Sequence, residues 1–275
     1  MTDRRFLRAT DRMAHDSLRG GIEGRTFTSG RPARIAASVV DLCAAPDGPR
    51  DRQLLLGTAF TVIEERGDHA FGFDGAQGYC GWLTTRALGD PVAPTHWLAV
   101  PASHLYPGPD LKLRELAALS MGARVAVEGI ENGFARTSDG WIFARHLRPL
   151  HEALSDPVAV ARSFMGTPYL WGGDTHAGID CSGLVRAARA ACALPCPPDS
   201  DLQRAMPGRD VPPGEERAGD LVFWKGHVAM VSAPDRIVHA NAHHMAVAEE
   251  PLTPAIARIE AAGGGPVLRR LRPAG

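Results

Sequence analysis

Three side chains in the C-terminal half of the sequence could carry out nucleophilic chemistry together. Cys181 lies in GIDCSGLVRAA, where a glycine-containing loop meets a helical pattern, and His227 and His239 lie in later strand-like segments. Beside an imidazolium and at a helix N-terminus, the pKa of a thiol is expected to fall to roughly 3.5–7.5. The thiolate then attacks an acyl carbon, and a histidine protonates the leaving amine. The sequence therefore predicts acyl-transfer chemistry at Cys181.

The residue that orients the ring of His227 depends on the hairpin that follows it. A two-residue turn at Pro234-Asp235 would place even-numbered residues beside His227. A three-residue loop over 233–235 would instead place His239, Asn241 and His243 on that face. Periodicity alone leaves both registers open.

The elements that must position these residues form a mixed α/β pattern over residues 151–275. Asp156 is a good helix N-cap before Pro157, and a second helix is expected from Cys181 to about Ala193. The segment 196–217 is rich in proline, glycine and charge and is predicted to be loop. Strands are predicted at 220–224, 227–231, 236–239 and 267–271.

The front half of the chain contains an internal repeat. Residues 39–88 resemble residues 100–147, with a Gly-Trp pair, Gly81-Trp82 and Gly140-Trp141, near the end of each copy. Short β-branched runs and glycine-containing turns predict several strands in each copy. A repeat of about 60 residues suits a duplicated small β-barrel domain rather than a solenoid.

Composition limits the classes of function. The 275 residues carry 30 basic and 31 acidic side chains, a formal net charge of −1, so nucleic acid and anionic membranes are not expected partners. No run of about 20 apolar residues suggests a membrane span, and the first 20 residues show no apolar signal core. A cytoplasmic location is therefore expected. Five scattered cysteines do not suggest a disulfide scaffold. The spacing of Cys192 and Cys196 does not suit zinc, so neither a metal nor a cofactor is expected.

The C-terminal motifs resemble those of a known family. FMGTPYLWGGDTHAGIDCSG, GDLVFWKGHVAMV and IVHAN look like the NlpC-type family of bacterial cell-wall cysteine peptidases, and the repeated front half resembles two bacterial SH3 domains. The resemblance implies an α+β multidomain protein, with two small SH3-like β-barrels followed by a papain-like α+β catalytic domain. The expected parts are an N-terminal arm (1–30), SH3-like domains (31–90 and 91–150) and the catalytic domain (151–275).

The resemblance also implies an activity. Members with SH3 domains cleave murein peptides between γ-D-glutamate and a diamino acid, and several require a free N-terminal L-alanine. On that pattern the third catalytic residue is His239, with Asn241 as the fallback, and Asp180 would hold the alanine ammonium. The other substrate-binding residues would be Ser182, Tyr169, Trp171, Ser200 and, from the first SH3-like domain, Tyr79. The chain departs from the pattern at Thr58, where an acidic residue is expected, and at Pro198, where Arg is expected.

The favoured function is thus a γ-D-glutamyl-L-diamino acid peptidase that acts on free murein peptides during cell-wall recycling. Two alternatives use the same fold: a murein-peptide-binding module without turnover, and an acyltransferase or amidase. The expected partner is a peptide of the type L-Ala-γ-D-Glu-diamino acid.

Overall fold

A computed structural model describes residues 3–274 and divides the chain into two compact units, residues 1–150 and 151–275. The first unit is almost entirely β-structure, and the second combines helices with an antiparallel sheet. Among the described residues, no helix has the length and apolar character needed to cross a lipid bilayer.

Two small β domains follow an N-terminal segment in the first unit. The strands of this unit are β1 (Met13–His15), β2 (Thr26–Thr28), β3 (Arg31–Ile35), β4 (Val39–Cys43), β5 (Arg50–Leu55), β6 (Ala59–Arg66), β7 (His69–Asp74), β8 (Cys80–Thr84), β9 (Leu88–Gly89), β10 (His96–Leu98), β11 (Ala102–Leu105), β12 (Ala117–Ser120), β13 (Arg124–Val125), β14 (Gly129–Glu131), β15 (Phe134–Thr137), β16 (Gly140–Phe143) and β17 (Leu147–Pro149). Single 3-10 turns lie at Arg4–Phe6, Asp16–Leu18, Thr85–Ala87 and Ala144–His146.

The first β domain is one seven-stranded sheet in the order β5-β4-β8-β7-β6-β3-β9. Successive residues of its strands point to opposite faces of the sheet, and its buried side chains form two apolar clusters, of which the larger is the main core. Ile35 and Leu42 are completely buried there, and Phe60 and Tyr79 are nearly so. The segment before it contributes β1 and β2, which pair in parallel.

The second β domain contains three small sheets, ordered β13-β10-β17, β11-β12 and β14-β15-β16. Leu56, between β5 and β6 of the first domain, is buried in the core of the second. The next residue, Gly57, has a φ of 79°, and a Cβ atom there would lie 1.9 Å from the carbonyl oxygen of Arg124. Only glycine allows this close approach of the two chain segments.

The second unit packs helices on a six-stranded sheet. Its helices are α1 (Pro157–Ser163), α2 (Cys181–Ala191), α3 (Ser200–Arg204) and α4 (Leu252–Ile259), and a π-type turn covers Glu260–Gly264. Its strands are β18 (Asp174–Thr175), β19 (Gly178–Ile179), β20 (Gly208–Asp210), β21 (Leu221–Trp224), β22 (His227–Ala233), β23 (Arg236–Asn241), β24 (Ala246–Pro251) and β25 (Arg269–Pro273). The large sheet has the order β20-β25-β21-β22-β23-β24.

Several local predictions match these elements and others do not. Asp156 caps α1 by accepting hydrogen bonds from the backbone of Val158 and Ala159, as its position before proline indicated. The segment 196–217 was expected to be loop, but it contains α3 and β20. Both are short, and the burial of Gln203 and the pairing of β20 with β25 stabilise them through tertiary contacts.

The hairpin of β22 and β23 combines features of the two registers considered above. Its turn has two residues, because Ala233 pairs with Arg236. A β-bulge at Ser232 then shifts the register, so that Val231 faces Ile237 and Met230 faces Val238. Beyond the bulge, odd-numbered residues of both strands therefore share one face of the sheet.

Candidate active site

The N-terminus of α2 holds the candidate nucleophile. Asp180 caps the helix, with its Oδ1 accepting a 2.7 Å hydrogen bond from the backbone N–H of Gly183. Cys181 is the first helical residue and is 6% exposed. The backbone N–H groups of Val228, which follows His227, of Ser182 and of Cys181 itself lie close enough to the sulfur to lower the pKa of the thiol. The start of α2 and the start of β22 thus meet at this sulfur.

Two histidines from neighbouring strands form a relay that begins at the first residue of β22. Nε2 of His227 lies 2.8 Å from Nδ1 of His239, which is 1% exposed. The register shift at Ser232 places both rings on the same face of the sheet. Trp224, directly across from His227 on β21, packs against its ring at 5.6 Å. Within residues 3–274, Nδ1 of His227 has no hydrogen-bond partner, so it can accept a proton.

The protonation states differ from those expected from sequence. Burial, and then the negative charge of Asp180, raise the pKa of the Cys181 thiol to about 12, and these effects exceed the lowering by three N–H donors. Burial lowers the pKa of His227 to about 3. The expectation of a thiolate with a lowered pKa was therefore wrong for the resting protein. In the resting site the thiol and the imidazole are both neutral, because burial disfavours charge on either group.

A carboxylate and a guanidinium extend the relay beyond the residues found by sequence. Nε2 of His239 lies 2.8 Å from Oε1 of Glu250, and Nη2 of Arg258 contacts the same oxygen. Glu250 lies on β24 and Arg258 in the last turn of α4. Neither residue was among the sequence candidates. The sequence contains only a weak signal for Glu250, the two consecutive glutamates in AVAEEP. Because side chains alternate along a strand, one of the two must lie on the same face as His239.

The candidate substrate-binding residues Asp180, Ser182, Tyr169 and Trp171 lie close to Cys181 in sequence or in space. Asp180 accepts from Ser182 Oγ at 2.9 Å and from the N–H of Gly172 at 2.9 Å, besides its helix-capping bond. Burial and the charge of Asp174 raise the pKa of Asp180 to about 6. The site therefore contains a carboxyl group that is poorly stabilised in its ionised form.

The two aromatic candidates lie in the loop that precedes β18. Burial, together with the nearby Cys181 and Asp180, raises the pKa of the Tyr169 hydroxyl, so its proton is retained at neutral pH. The N–H of Tyr169 donates to the carbonyl of Met245, which joins this loop to the β23–β24 turn. Trp171 is 69% exposed. An exposed indole beside a polar site is a suitable surface for contact with a ligand.

Ser200, Tyr79 and Asn241 are the remaining candidates, and each has contacts of its own. Ser200 is the first residue of α3, which Asp199 precedes as the N-cap. Tyr79 is buried in the core of the first β domain, where its ring packs edge-on against Phe6 at 5.9 Å. Asn241, the fallback for the third position, accepts hydrogen bonds from the backbone and ring of His244. His239 is therefore the residue that contacts His227.

Taken together, the geometry suits acyl transfer. A buried thiol lies at a helix N-terminus, where unpaired N–H groups can stabilise negative charge. A neutral histidine with a free ring nitrogen lies on the adjacent strand, and a second histidine fixes its orientation.

Comparisons with known proteins agree with this arrangement. A family model described as "NlpC/P60 family" matches residues 166–257, and one described as "Bacterial dipeptidyl-peptidase Sh3 domain" matches residues 42–88. The first match includes all three members of the Cys-His-His set.

The proteins that resemble the chain include three curated relatives and one solved structure. Dipeptidyl-peptidase 6 of Lysinibacillus sphaericus is 32% identical over 40% of this chain and 41% of its own length, so the alignment spans less than half of that protein. Gamma-D-glutamyl-L-lysine dipeptidyl-peptidase of Bacillus subtilis (strain 168) is 28% identical over 68% of this chain and 71% of its own. Probable endopeptidase NlpC of Escherichia coli (strain K12) is 33% identical over 34% of this chain and 70% of its own. A crystal structure of an NlpC/P60 family protein from Bacillus cereus ATCC 10987 superposes with a TM-score of 0.73 at 21% identity, covering 88% of this chain and 99% of that one.

Proposed function

Because the chain belongs to the NlpC/P60 family of peptidoglycan peptidases and carries an SH3-like N-terminal domain, we propose that it hydrolyses the bond between γ-D-glutamate and a diamino acid in free murein peptides. The observation that carries the proposal is the junction of α2 and β22. There the sulfur of Cys181 lies against the N–H of Val228, and the neighbouring His227 bonds to His239. This arrangement supplies a nucleophile and a base to one acyl carbon.

The first half of the proposed reaction forms a thioester. As the sulfur of Cys181 attacks the γ-carbonyl carbon of D-glutamate, its proton passes to Nδ1 of His227. The resting pKa values mean that this proton moves during the attack and not before it. The carbonyl oxygen becomes an oxyanion, to which Tyr169 donates its retained proton in a hydrogen bond. His227 then protonates the amine of the diamino acid as the C–N bond breaks.

The second half releases the dipeptide. Water enters where the amine has left, and His227 takes one of its protons as the oxygen attacks the thioester carbon. The C–S bond breaks, the sulfur takes the proton from His227, and L-Ala-γ-D-Glu leaves with a γ-carboxyl group that releases its remaining proton to solvent. The enzyme returns to its neutral thiol and neutral imidazole.

Asp180 is proposed to recognise the free amine of L-alanine. An ionised carboxylate offers about four lone-pair positions, and three of those on Asp180 are filled by Gly183, Ser182 and Gly172. One position on Oδ2 remains for an ammonium. A cation there would also stabilise the buried negative charge, whereas an amide-linked alanine would leave it uncompensated. Free peptides, not the intact wall, are the substrates that satisfy Asp180.

Recycling of free peptides in the cytoplasm is a further part of the proposal. It follows from the preference for a charged N-terminus, since the alanine of the intact wall is joined through an amide. Cell fractionation with a tagged full chain tests the location, and recovery with the envelope would contradict it.

The central experiment is a cleavage assay on L-Ala-γ-D-Glu-diaminopimelate, with Cys181→Ala as the control. We expect release of L-Ala-γ-D-Glu by the natural chain and none by the variant. Acetylation of the alanine amine should abolish turnover. Undiminished cleavage of the acetylated peptide would refute the role of Asp180 and leave the peptidase activity intact.

One observation favours a second candidate, a peptide-binding module without turnover. The neutral, buried thiol of Cys181 is the state expected of an inert cysteine. The same assay separates the two: tight binding of the peptide by calorimetry without any product would establish the binding module. An acyltransferase would instead yield a product joined to an added amine.

A further inference from the structure

The polar relay behind His227 ends on an ion pair whose members lie on two different elements. Glu250 accepts from Nε2 of His239 at 2.8 Å and is contacted by Arg258. His239 faces Ala248 across the β23–β24 ladder, so Glu250 lies two residues farther along the same face. This diagonal position lets a glutamate side chain reach the ring.

The ion pair at the end of the relay is charged under ordinary conditions. The hydrogen bond from His239 holds the pKa of Glu250 below its usual value, so the carboxylate is ionised at neutral pH. Arg258 contributes a guanidinium, which can only donate hydrogen bonds. The side chain of His239 is completely buried, while those of Glu250 and Arg258 are 15% and 28% exposed. The pair is therefore tied to a ring that has no access to solvent.

An ionised carboxylate determines the proton positions of both rings. Since Glu250 can only accept, Nε2 of His239 must carry a hydrogen. In the neutral ring, Nδ1 of His239 is then an acceptor, so Nε2 of His227 must donate to it. In neutral His227 the remaining nitrogen, Nδ1, is left with a lone pair. Without an acceptor at position 250, either tautomer of His239 becomes available.

We propose that Glu250 and Arg258 are positioning residues that fix the tautomers of His239 and His227, and so keep the lone pair of His227 on Nδ1, the nitrogen that takes the proton of the thiol in the proposed reaction. Arg258 acts through Glu250, whose oxygen it holds between the two donors. This inference rests on the proposed peptidase function for its kinetic consequence, but not for its structural one.

The neighbouring glutamate provides a matched control. Glu249 lies on the opposite face of β24, where it accepts hydrogen bonds from Arg162, Arg236 and Ser232. It is ion-paired like Glu250 but has no hydrogen bond to either histidine of the relay. Glu249→Ala removes a carboxylate from the same strand and should leave the relay unchanged.

The test combines two measurements on the full chain. Nitrogen-15 NMR of the imidazoles reports which nitrogen of each neutral ring carries hydrogen, with His227→Gln and His239→Gln used for assignment. We expect a single tautomer for both rings in the natural chain and in Glu249→Ala, and mixed tautomers in Glu250→Ala. Arg258→Ala keeps the carboxylate but no longer holds it, so we expect a smaller fraction of the minor tautomer there. Steady-state cleavage should show kcat lowered about 100-fold in Glu250→Ala with KM little changed.

A rescue variant separates orientation from mere stability. In Glu250→Gln, the guanidinium of Arg258 can only donate hydrogen bonds, so the oxygen of the new side-chain amide must face it. That oxygen can then still accept a hydrogen bond from His239. We expect one tautomer and a kcat within about 10-fold of the natural chain. Unaltered tautomers and kcat in folded Glu250→Ala would overturn the inference. If the natural chain cleaves no murein peptide but Glu250→Ala mixes the tautomers, the proposed function fails and the positioning role stands.

Discussion

The carboxyl group of Asp180 allows a prediction that needs no substrate, because its ionised form is destabilised in the folded protein. Burial and Asp174 raise its pKa from an ordinary 3.8 to about 6. At ~1.4 kcal/mol per tenfold change, ionisation costs the folded state roughly 3 kcal/mol. Because the folded protein relaxes around a buried charge, we expect about 2 kcal/mol of this cost to be measured.

The sign of the pH dependence follows from where protons are bound. Between pH 3.8 and about 6, the folded protein retains the proton on Asp180 and the unfolded chain has released it. The contribution of this group to the free energy of unfolding is therefore largest at low pH and is lost as pH rises through that window. Asp180→Asn removes the titration and keeps a good helix cap.

The variant should therefore gain relative stability as pH rises. Asparagine has one oxygen in place of two, so the N–H of Gly172 loses its acceptor, at about 1–2 kcal/mol at every pH. We expect Asp180→Asn to be less stable than the natural chain at pH 4 and about equally stable at pH 8. Urea unfolding at both pH values measures the difference. An equal difference at the two pH values would show that the pKa of Asp180 is not raised, and would refute the reasoning.

Two functional readouts on the same variant test the chemistry. Asp180 raises the pKa of Cys181, so its neutralisation should accelerate alkylation of the thiol by iodoacetamide at pH 8 several-fold. Cleavage of the free-amine peptide should fall about 10- to 100-fold in kcat/KM, the value of one charge-assisted hydrogen bond. Slower alkylation in Asp180→Asn would contradict the electrostatic assignment.

Three further outcomes are expected. Burial lowers the pKa of His227 to about 3, so between pH 7 and pH 3 the unfolded state binds a proton that the folded state does not. The free energy of unfolding should therefore fall by about 3–5 kcal/mol over that range. Urea titrations measure this fall in the natural chain, and His227→Gln should show a flatter dependence on pH. Gly57→Ala places a Cβ atom 1.9 Å from the Arg124 carbonyl oxygen at a φ of 79°, and should lower the free energy of unfolding by about 3 kcal/mol or more. The control Gly67→Ala, at a φ of 60° in open space, should lower it by only about 1 kcal/mol. Thermal melts compare the two variants. In the natural chain at pH 7, Cys181 should react with iodoacetamide more slowly than a free cysteine, since its pKa is about 12; faster reaction would indicate a preformed thiolate.

Local sequence determined the elements around the nucleophile. Asp180 followed by Cys-Ser-Gly predicts a capped helix N-terminus, and α2 begins at Cys181 with Asp180 bonded to Gly183. The predicted strands at 220–224 and 227–231 correspond to β21 and β22. These predictions succeeded because capping and strand periodicity depend on residues a few positions apart.

The protonation state of the site could not be obtained in this way. A helix N-terminus lowers the pKa of a thiol, and the sequence shows that effect. Burial and the charge of Asp180 act in the opposite direction and are stronger. Desolvation depends on everything packed around the group, so it belongs to the tertiary structure.

The sequence by itself determined that a cysteine would begin a helix, that two histidines 12 residues apart would lie on successive strands, and that small β domains would precede them. Which side chain meets His227 was decided by the tertiary structure. The two-residue turn alone would place His239 on the wrong face, and the extra residue of the bulge at Ser232 restores it. Because strand side chains alternate with a period of two, a shift of one residue reverses every contact, and such a shift leaves little trace in local sequence. The contacts to Glu250 and Arg258 likewise required β24 and α4 to pack beside β23, which only the folded chain achieves.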